Sequence, residues 1–144
     1  MIDSKSHILD LDLMSVSQVE SILDDADEMT KILNSDFKKT EALKGKTIIT
    51  LFFEPSTRTR SSFEQAGKIL GADVINIVNS SSSSKKGESL YNTALTIQSI
   101  KSDVIVLRHP HSGAPYFLSN LLKESTIINA GDGMHAHPTQ ALLD

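Results

Sequence analysis

The sequence predicts an α/β fold: a parallel sheet of about four strands with helices on both faces. Two observations carry this. Four short apolar runs, Thr47–Phe53, Val74–Val78, Val104–Arg108 and Thr126–Ala130, are each short enough for a strand and rich in Val, Ile or Leu. Between them lie segments of helical character, Thr57–Leu70, Ser89–Ile100 and Ala114–Lys123. Strands that alternate with helices, and that read as continuous apolar runs, belong to a sheet covered on both sides.

The elements follow in order. Ser15 to about Leu33 reads as an amphipathic helix, with Val16, Val19, Leu23, Ala26, Met29 and Leu33 at helical spacing. Ser17 with Glu20 is a candidate capping box. Leu43-Lys44-Gly45-Lys46 breaks the pattern before the first strand. Pro115 and Pro138 suit first-turn helix positions, and a last helix is expected from Pro138. The serine run Ser80–Ser84, followed by Lys85-Lys86-Gly87-Glu88, is the one low-complexity segment. The strand–helix rhythm continues across it, so it reads as a polar loop carrying two lysines rather than as an interdomain linker.

Composition bounds the function. The chain has 144 residues, one domain's worth, so residues 1–144 are expected to form a single domain. With no cysteine, disulfides, thiolate metal sites and a cysteine nucleophile are excluded. The formal net charge of −4 argues against nucleic acid as a partner. Residues 1–44 hold ten acids against five bases, whereas the remainder is nearly balanced. The acidic part is thus expected to be a solvated helical face. The first residues lack a signal-peptide pattern and no apolar run approaches membrane-spanning length, which makes the cytoplasm the default expectation.

The chemistry concentrates at strand ends, where ligands of parallel sheets bind. Ser56-Thr57-Arg58-Thr59-Arg60 joins the first strand to a helix. Free N–H groups at a helix start, hydroxyls and guanidinium forks together suit an anion. Only three of 14 basic residues are arginine, Arg58, Arg60 and Arg108, and all lie next to strand ends. Lysine serves wherever charge alone is enough; arginine is kept where fork geometry matters. His137 and Gln140 follow the fourth strand. The pairs His109/His111 and His135/His137 have a metal-like look, but no cysteine or acid-rich neighbourhood supports a metal, and none is expected. Gly131-Asp132-Gly133 reads first as a turn. There is no G-x-x-x-x-G-K-S/T, so a P-loop nucleotide site is not expected.

Taken in order, four motifs form a recognisable pattern. Phe52-Phe53-Glu54-Pro55-Ser56-Thr57-Arg58-Thr59-Arg60-Ser61-Ser62-Phe63-Glu64 is followed by Lys85-Lys86-Gly87-Glu88-Ser89. Arg108-His109-Pro110 comes next, then Asn129-Ala130-Gly131-Asp132-Gly133 with His137-Pro138-Thr139-Gln140. The pattern resembles the signature of the aspartate/ornithine carbamoyltransferase family across essentially the whole chain. The Lys-Lys-Gly-Glu pattern favours the aspartate branch. The ornithine branch shares the first and last motifs and ranks second.

The resemblance implies transfer of the carbamoyl group from carbamoyl phosphate to the amine of L-aspartate in pyrimidine synthesis, with no cofactor. It implies that Ser56, Thr57, Arg58 and Thr59 hold the phosphate and that Arg108 reaches phosphate and carbonyl oxygen. Thr59 and His137 would donate to the carbonyl oxygen, and Gln140 would bind the carbamoyl NH2. Arg58, Thr59, Arg108 and His137 are thus the expected catalytic set. Arg60 is expected to be structural, paired with Glu64. Ser82 and Lys86 would enter the site from a neighbouring subunit of a homotrimer, and regulatory chains are a further partner class. The family's second domain, which binds the amino acid, is expected to be missing from these 144 residues. A non-catalytic phosphate-binding or assembly module is the alternative from a different class.

Overall fold

The computed structural model describes residues 6–79 and 90–144. Four strands, β1 (Thr47–Phe52), β2 (Asp73–Val78), β3 (Val104–His109) and β4 (Thr126–Asp132), form one sheet in the order β2-β1-β3-β4. Every pairing is parallel. The helices are α1 (Val16–Leu33), α2 (Thr57–Ile69), α3 (Leu90–Ile100), α4 (Ala114–Leu121) and α5 (Pro138–Leu143), with a 3-10 turn at Leu11–Leu13. The expected strands and helices are present with ends shifted by a residue or two. The Ser80–Ser84 run and the lysines after it lie outside the described residues.

Alternation along the strands builds two apolar layers. Ile49 and Leu51, Ile105 and Leu107, and Ile127 point to one face, where Ala94 and Ile97 of α3 and Leu118 of α4 meet them. Ile48 and Phe52, Val106 and Ala130 point to the other, against Phe63 of α2. Each large side chain fully buried this way contributes about 1.5–3 kcal/mol. Gly67 lets α2 lie close: a Cβ there would fall 2.7 Å from Val74 Cγ2 and 3.1 Å from Ile48 Cδ1.

The N-terminal segment was not legible as structure in the sequence. Ile8 bridges Ile128, with the Ile8 N–H donating to Ile127 O at 2.9 Å and the Asn129 N–H donating to Ile8 O at 2.8 Å. The β4 edge is therefore partly covered, which removes unpaired backbone groups. The capping box of α1 also differs from expectation. It is formed by Ser15 and Gln18, not Ser17 and Glu20: the Gln18 N–H donates to Ser15 Oγ and the Ser15 N–H donates to Gln18 Oε1. Ser15 has the extended backbone of an N-cap, which puts Ser17 already inside the first turn.

Candidate active site

From β1 the chain crosses through α2 to β2 on one side; from β2 it crosses back through α3 to β3 on the other. The carboxyl ends of β1 and β3 therefore flank the switch point where such sheets open a crevice. Glu54 to Thr59 leave β1 there, and Arg108 lies near the end of β3 beside them.

Ser56 is the N-cap of α2, yet its hydroxyl makes no capping hydrogen bond. Among the described residues, the first N–H groups of this 13-residue helix thus have no capping side chain, and the helix dipole favours an anion in front of them. Ser56 is half-buried, while Thr57 and Arg58 are exposed. Arg58, Thr59, His137 and Gln140 line one cleft of about 340 Å³, floored by Phe63. Glu54, Arg108, Gly131 and His137 line a second of about 270 Å³. His137 belongs to both, so it stands on their shared wall.

Arg108 is fixed before any ligand arrives. Its Nε donates to Glu54 Oε2 at 3.2 Å and its Nη1 donates to Ala130 O at 3.1 Å. A guanidinium has five donors, so a fork remains to face an anion. Gly131 makes room for this, with φ 121° and an ideal Cβ only 3.1 Å from Arg108 Nη1 and 3.5 Å from His137 Cδ2. His137 caps α5, with Pro138 in the first turn. Burial first, and the Arg108 charge second, push its pKa below the ordinary histidine value. It is held neutral, the form in which one ring nitrogen donates and the other accepts.

The turn carrying His137 is organised by Asp132, which is wholly buried. Its carboxylate accepts from Gly113 N–H at 2.8 Å, Asn129 Nδ2 at 2.9 Å and Ala136 N–H at 3.1 Å. Burial alone would raise its pKa, but these donors and His135 outweigh that and hold it below the ordinary carboxylate value. Sequence reasoning read this segment as a turn and missed the clamp. It also missed Glu54, although an acid two residues ahead of a Ser-Thr-Arg run was a visible signal.

Of the expected site residues, Arg58, Thr59, Arg108, His137 and Gln140 come together at these two clefts, with Ser56 and Thr57 at the helix start beside them. Ser82 and Lys86 lie outside the described residues. The pairing expected between Arg60 and Glu64 is corrected: the Glu64 carboxylate takes Lys68 Nζ at 2.8 Å. A glutamate with lysine four residues on is the better-oriented helical pair. That bond first, then one from Asn76, holds the Glu64 pKa down, while the Arg60 charge comes last among the causes. His109 is packed against Phe53 with ring centres 4.8 Å apart, and its Nδ1 accepts from the His111 N–H. Among the described residues, no group of three or more His, Asp or Glu is placed to hold a metal.

Comparison with known proteins gives the same reading from a different direction. Residues 6–144 match the family described as aspartate/ornithine carbamoyltransferase, carbamoyl-P binding domain. The chain is similar to the aspartate carbamoyltransferase catalytic subunit of Dehalococcoides mccartyi, 56% identical over 96% of this chain and 41% of that protein. The catalytic subunit of Chloroflexus aurantiacus is 49% identical over 100% of this chain and 46% of its own. Among solved structures, the aspartate transcarbamoylase catalytic subunit of M. jannaschii superposes with a TM-score of 0.84 at 45% identity, covering 96% of this chain and 44% of that one. The Trypanosoma cruzi aspartate transcarbamoylase, solved with carbamoyl phosphate and aspartate, has a TM-score of 0.84 at 36% identity, covering 97% and 43%. The chain spans less than half the length of the curated relatives it matches.

Proposed function

The chain belongs to the aspartate/ornithine carbamoyltransferase family, whose carbamoyl-P binding domain it matches from residue 6 to residue 144, and on that premise we propose that it binds carbamoyl phosphate for transfer of the carbamoyl group to L-aspartate. The products are N-carbamoyl-L-aspartate and phosphate, a step of pyrimidine synthesis. The observation that carries the reading is the convergence of Arg58 and Thr59 from one strand end with Arg108 and His137 from two others, around adjoining clefts.

The mechanism follows from that layout. The substrate is an activated acyl phosphate, so no covalent enzyme intermediate is needed. Catalysis reduces to positioning and to stabilising charge on the carbonyl oxygen and the departing phosphate. Ser56, Thr57, Arg58, Thr59 and the open N-terminus of α2 take the phosphate. Arg108, already oriented by Glu54 and Ala130 O, spans phosphate and carbonyl oxygen. Neutral His137 and Thr59 donate to the carbonyl oxygen, and Gln140 takes the carbamoyl NH2. Residues 1–144 act as one carbamoyl phosphate-binding domain, and a second domain supplies the contacts to aspartate. Ser82 and Lys86 complete the site of a neighbouring subunit in a homotrimer. The setting is the cytoplasm; among the described residues no helix is long and apolar enough to cross a membrane.

The test is calorimetric titration of the chain with inorganic phosphate and with phosphonoacetamide, a non-hydrolysable carrier of the same amide and phosphoryl groups. Binding of both, lost in Arg58→Ala and Arg108→Ala variants that remain folded, is the expected result. Undiminished affinity in both variants would refute the assignment.

A further inference from the structure

His135 lies between two carboxylates that the transfer chemistry does not use. Its Nδ1 is 3.1 Å from Asp132 Oδ2, and its Nε2 is 3.4 Å from Asp10 Oδ2. The Tyr116 ring packs against it in a T-shaped arrangement, with ring centres 5.8 Å apart. Asp10 itself caps the Leu11–Leu13 turn, so the contact ties the N-terminal segment to the end of β4. On the inner side, Asp132 grips the peptide units on both sides of Ala136. Its Oδ1 accepts the Ala136 N–H at 3.1 Å, and its own N–H donates to Ala136 O at 3.2 Å. The next residue is His137. With Ala136 held at both backbone groups, these contacts fix the backbone from which the His137 ring projects, while from the six-residue α5 only Thr139 reaches the ring, its Oγ1 3.4 Å from Nδ1.

We propose that Asp132 and His135 are positioning residues that aim the His137 ring at the carbonyl oxygen of the bound ligand, with Asp10 as the outer anchor. The inference rests on the carbamoyl phosphate reading above. It makes a selective prediction. The phosphoryl group is held by residues of the β1–α2 junction and by Arg108; His135 lines the cleft that Arg108 faces, but its polar contacts among the described residues go to Asp132 and Asp10 and not to these groups. Loosening the Asp10–His135–Asp132 chain should therefore weaken recognition of the amide end and leave the phosphoryl end alone.

The experiment compares phosphonoacetamide with methylphosphonate, which keeps the phosphonate and lacks the amide, by calorimetry on the whole chain. The unmodified chain should prefer phosphonoacetamide. In His135→Ala that preference should fall by about tenfold, the scale of one well-made hydrogen bond, with methylphosphonate affinity changed less than about twofold. Asp10→Asn should show a smaller loss of the same kind. Equal weakening of both ligands would mean that His135 only supports the fold, and would overturn the inference. So would an unchanged preference in both variants. If circular dichroism shows His135→Ala unfolded, Asp10→Asn decides by the same criterion. Failure of the unmodified chain to bind either ligand would overturn the carbamoyl phosphate reading itself, whereas binding without preference would overturn only the positioning claim.

Discussion

Arg108 illustrates how one side chain is prepared for an anion. Left free in water, an arginine would lose rotamer entropy on binding; here Glu54 and Ala130 O have already fixed the fork. Arg58 is exposed and has no such tether among the described residues, so in the proposed phosphate site its contribution depends on matching two phosphoryl oxygens at once. Arg58→Lys keeps the charge and loses the fork, and phosphate affinity should fall by about 1–2 kcal/mol in a calorimetric titration. Histidines give a second prediction. The pKa of His137 is lowered by burial and then Arg108; His7 and His109 are also lowered, by burial first and then by Lys123 and His111 respectively. Their folded values lie below the unfolded value of 6.5, so on acidification the unfolded chain takes up protons first. Their contribution to stability is intact above pH 6.5 and is lost as the pH falls from there through the lowered folded values. Thermal melts from about pH 8 to about pH 5 should show this decline, and His137→Gln should make it shallower.

Among the elements, α2 depends most on a single small residue. Gly67 sits where the helix crosses β1 and β2, and any Cβ would press on Val74 and Ile48. In an exposed helix, glycine to alanine stabilises by up to about 1 kcal/mol. Here the contact at 2.7 Å forces side chains or the helix to move, and Gly67→Ala should destabilise by about 1–3 kcal/mol in urea unfolding. A shift of α2 would also displace the Ser56–Thr59 junction, so ligand affinity should fall in the same variant. The opposite case is α1. Its capping box is complete, but none of its 18 residues is buried. Its stability therefore comes largely from local terms, and Ser15→Ala should reduce helicity by far-UV circular dichroism, at a cost of about 0.5–2 kcal/mol.

At the scale of the whole molecule, the apolar surface left uncovered is substantial. Val16 of α1 is 75% exposed and Leu143 of α5 is 79% exposed. Leu142 beside it is half-buried. Uncovered stripes of this kind favour association, so sedimentation velocity should show the sedimentation coefficient rising with concentration. Under the proposed function, catalysis also requires more than these residues. All three arginines lie at the phosphate side or in α2, and none remains to clamp the two carboxylates of aspartate. Positioning of the amine against the carbonyl can contribute on the order of 7–11 kcal/mol, and the proposed function assigns that positioning to contacts beyond these 144 residues. Carbamoyl aspartate formation by the purified chain at saturating substrates should therefore lie many powers of ten below that of a full-length relative. Comparable turnover would show that the amino-acid site is present after all.

What the sequence determined by itself was what repeats locally. Apolar runs named the four strands, proline and helical spacing named the helices, and hydroxyls beside arginines singled out the β1–α2 junction as the candidate anion site. Those features depend on neighbours in the chain, and backbone geometry reads them directly. Tertiary structure alone decided which distant groups meet. Asp132, read as part of a turn, became a buried clamp only because Gly113, Asn129 and His135 fold around it. Glu54 acquired a role only because β1 and β3 lie side by side and bring Arg108 to it. Ser15 displaced Ser17 as the cap, and Lys68 displaced Arg60 as the partner of Glu64, by margins of two residues or a favoured orientation. Contacts across tens of residues carry no periodicity, and a one-residue shift of a helix start changes every hydrogen bond at its end.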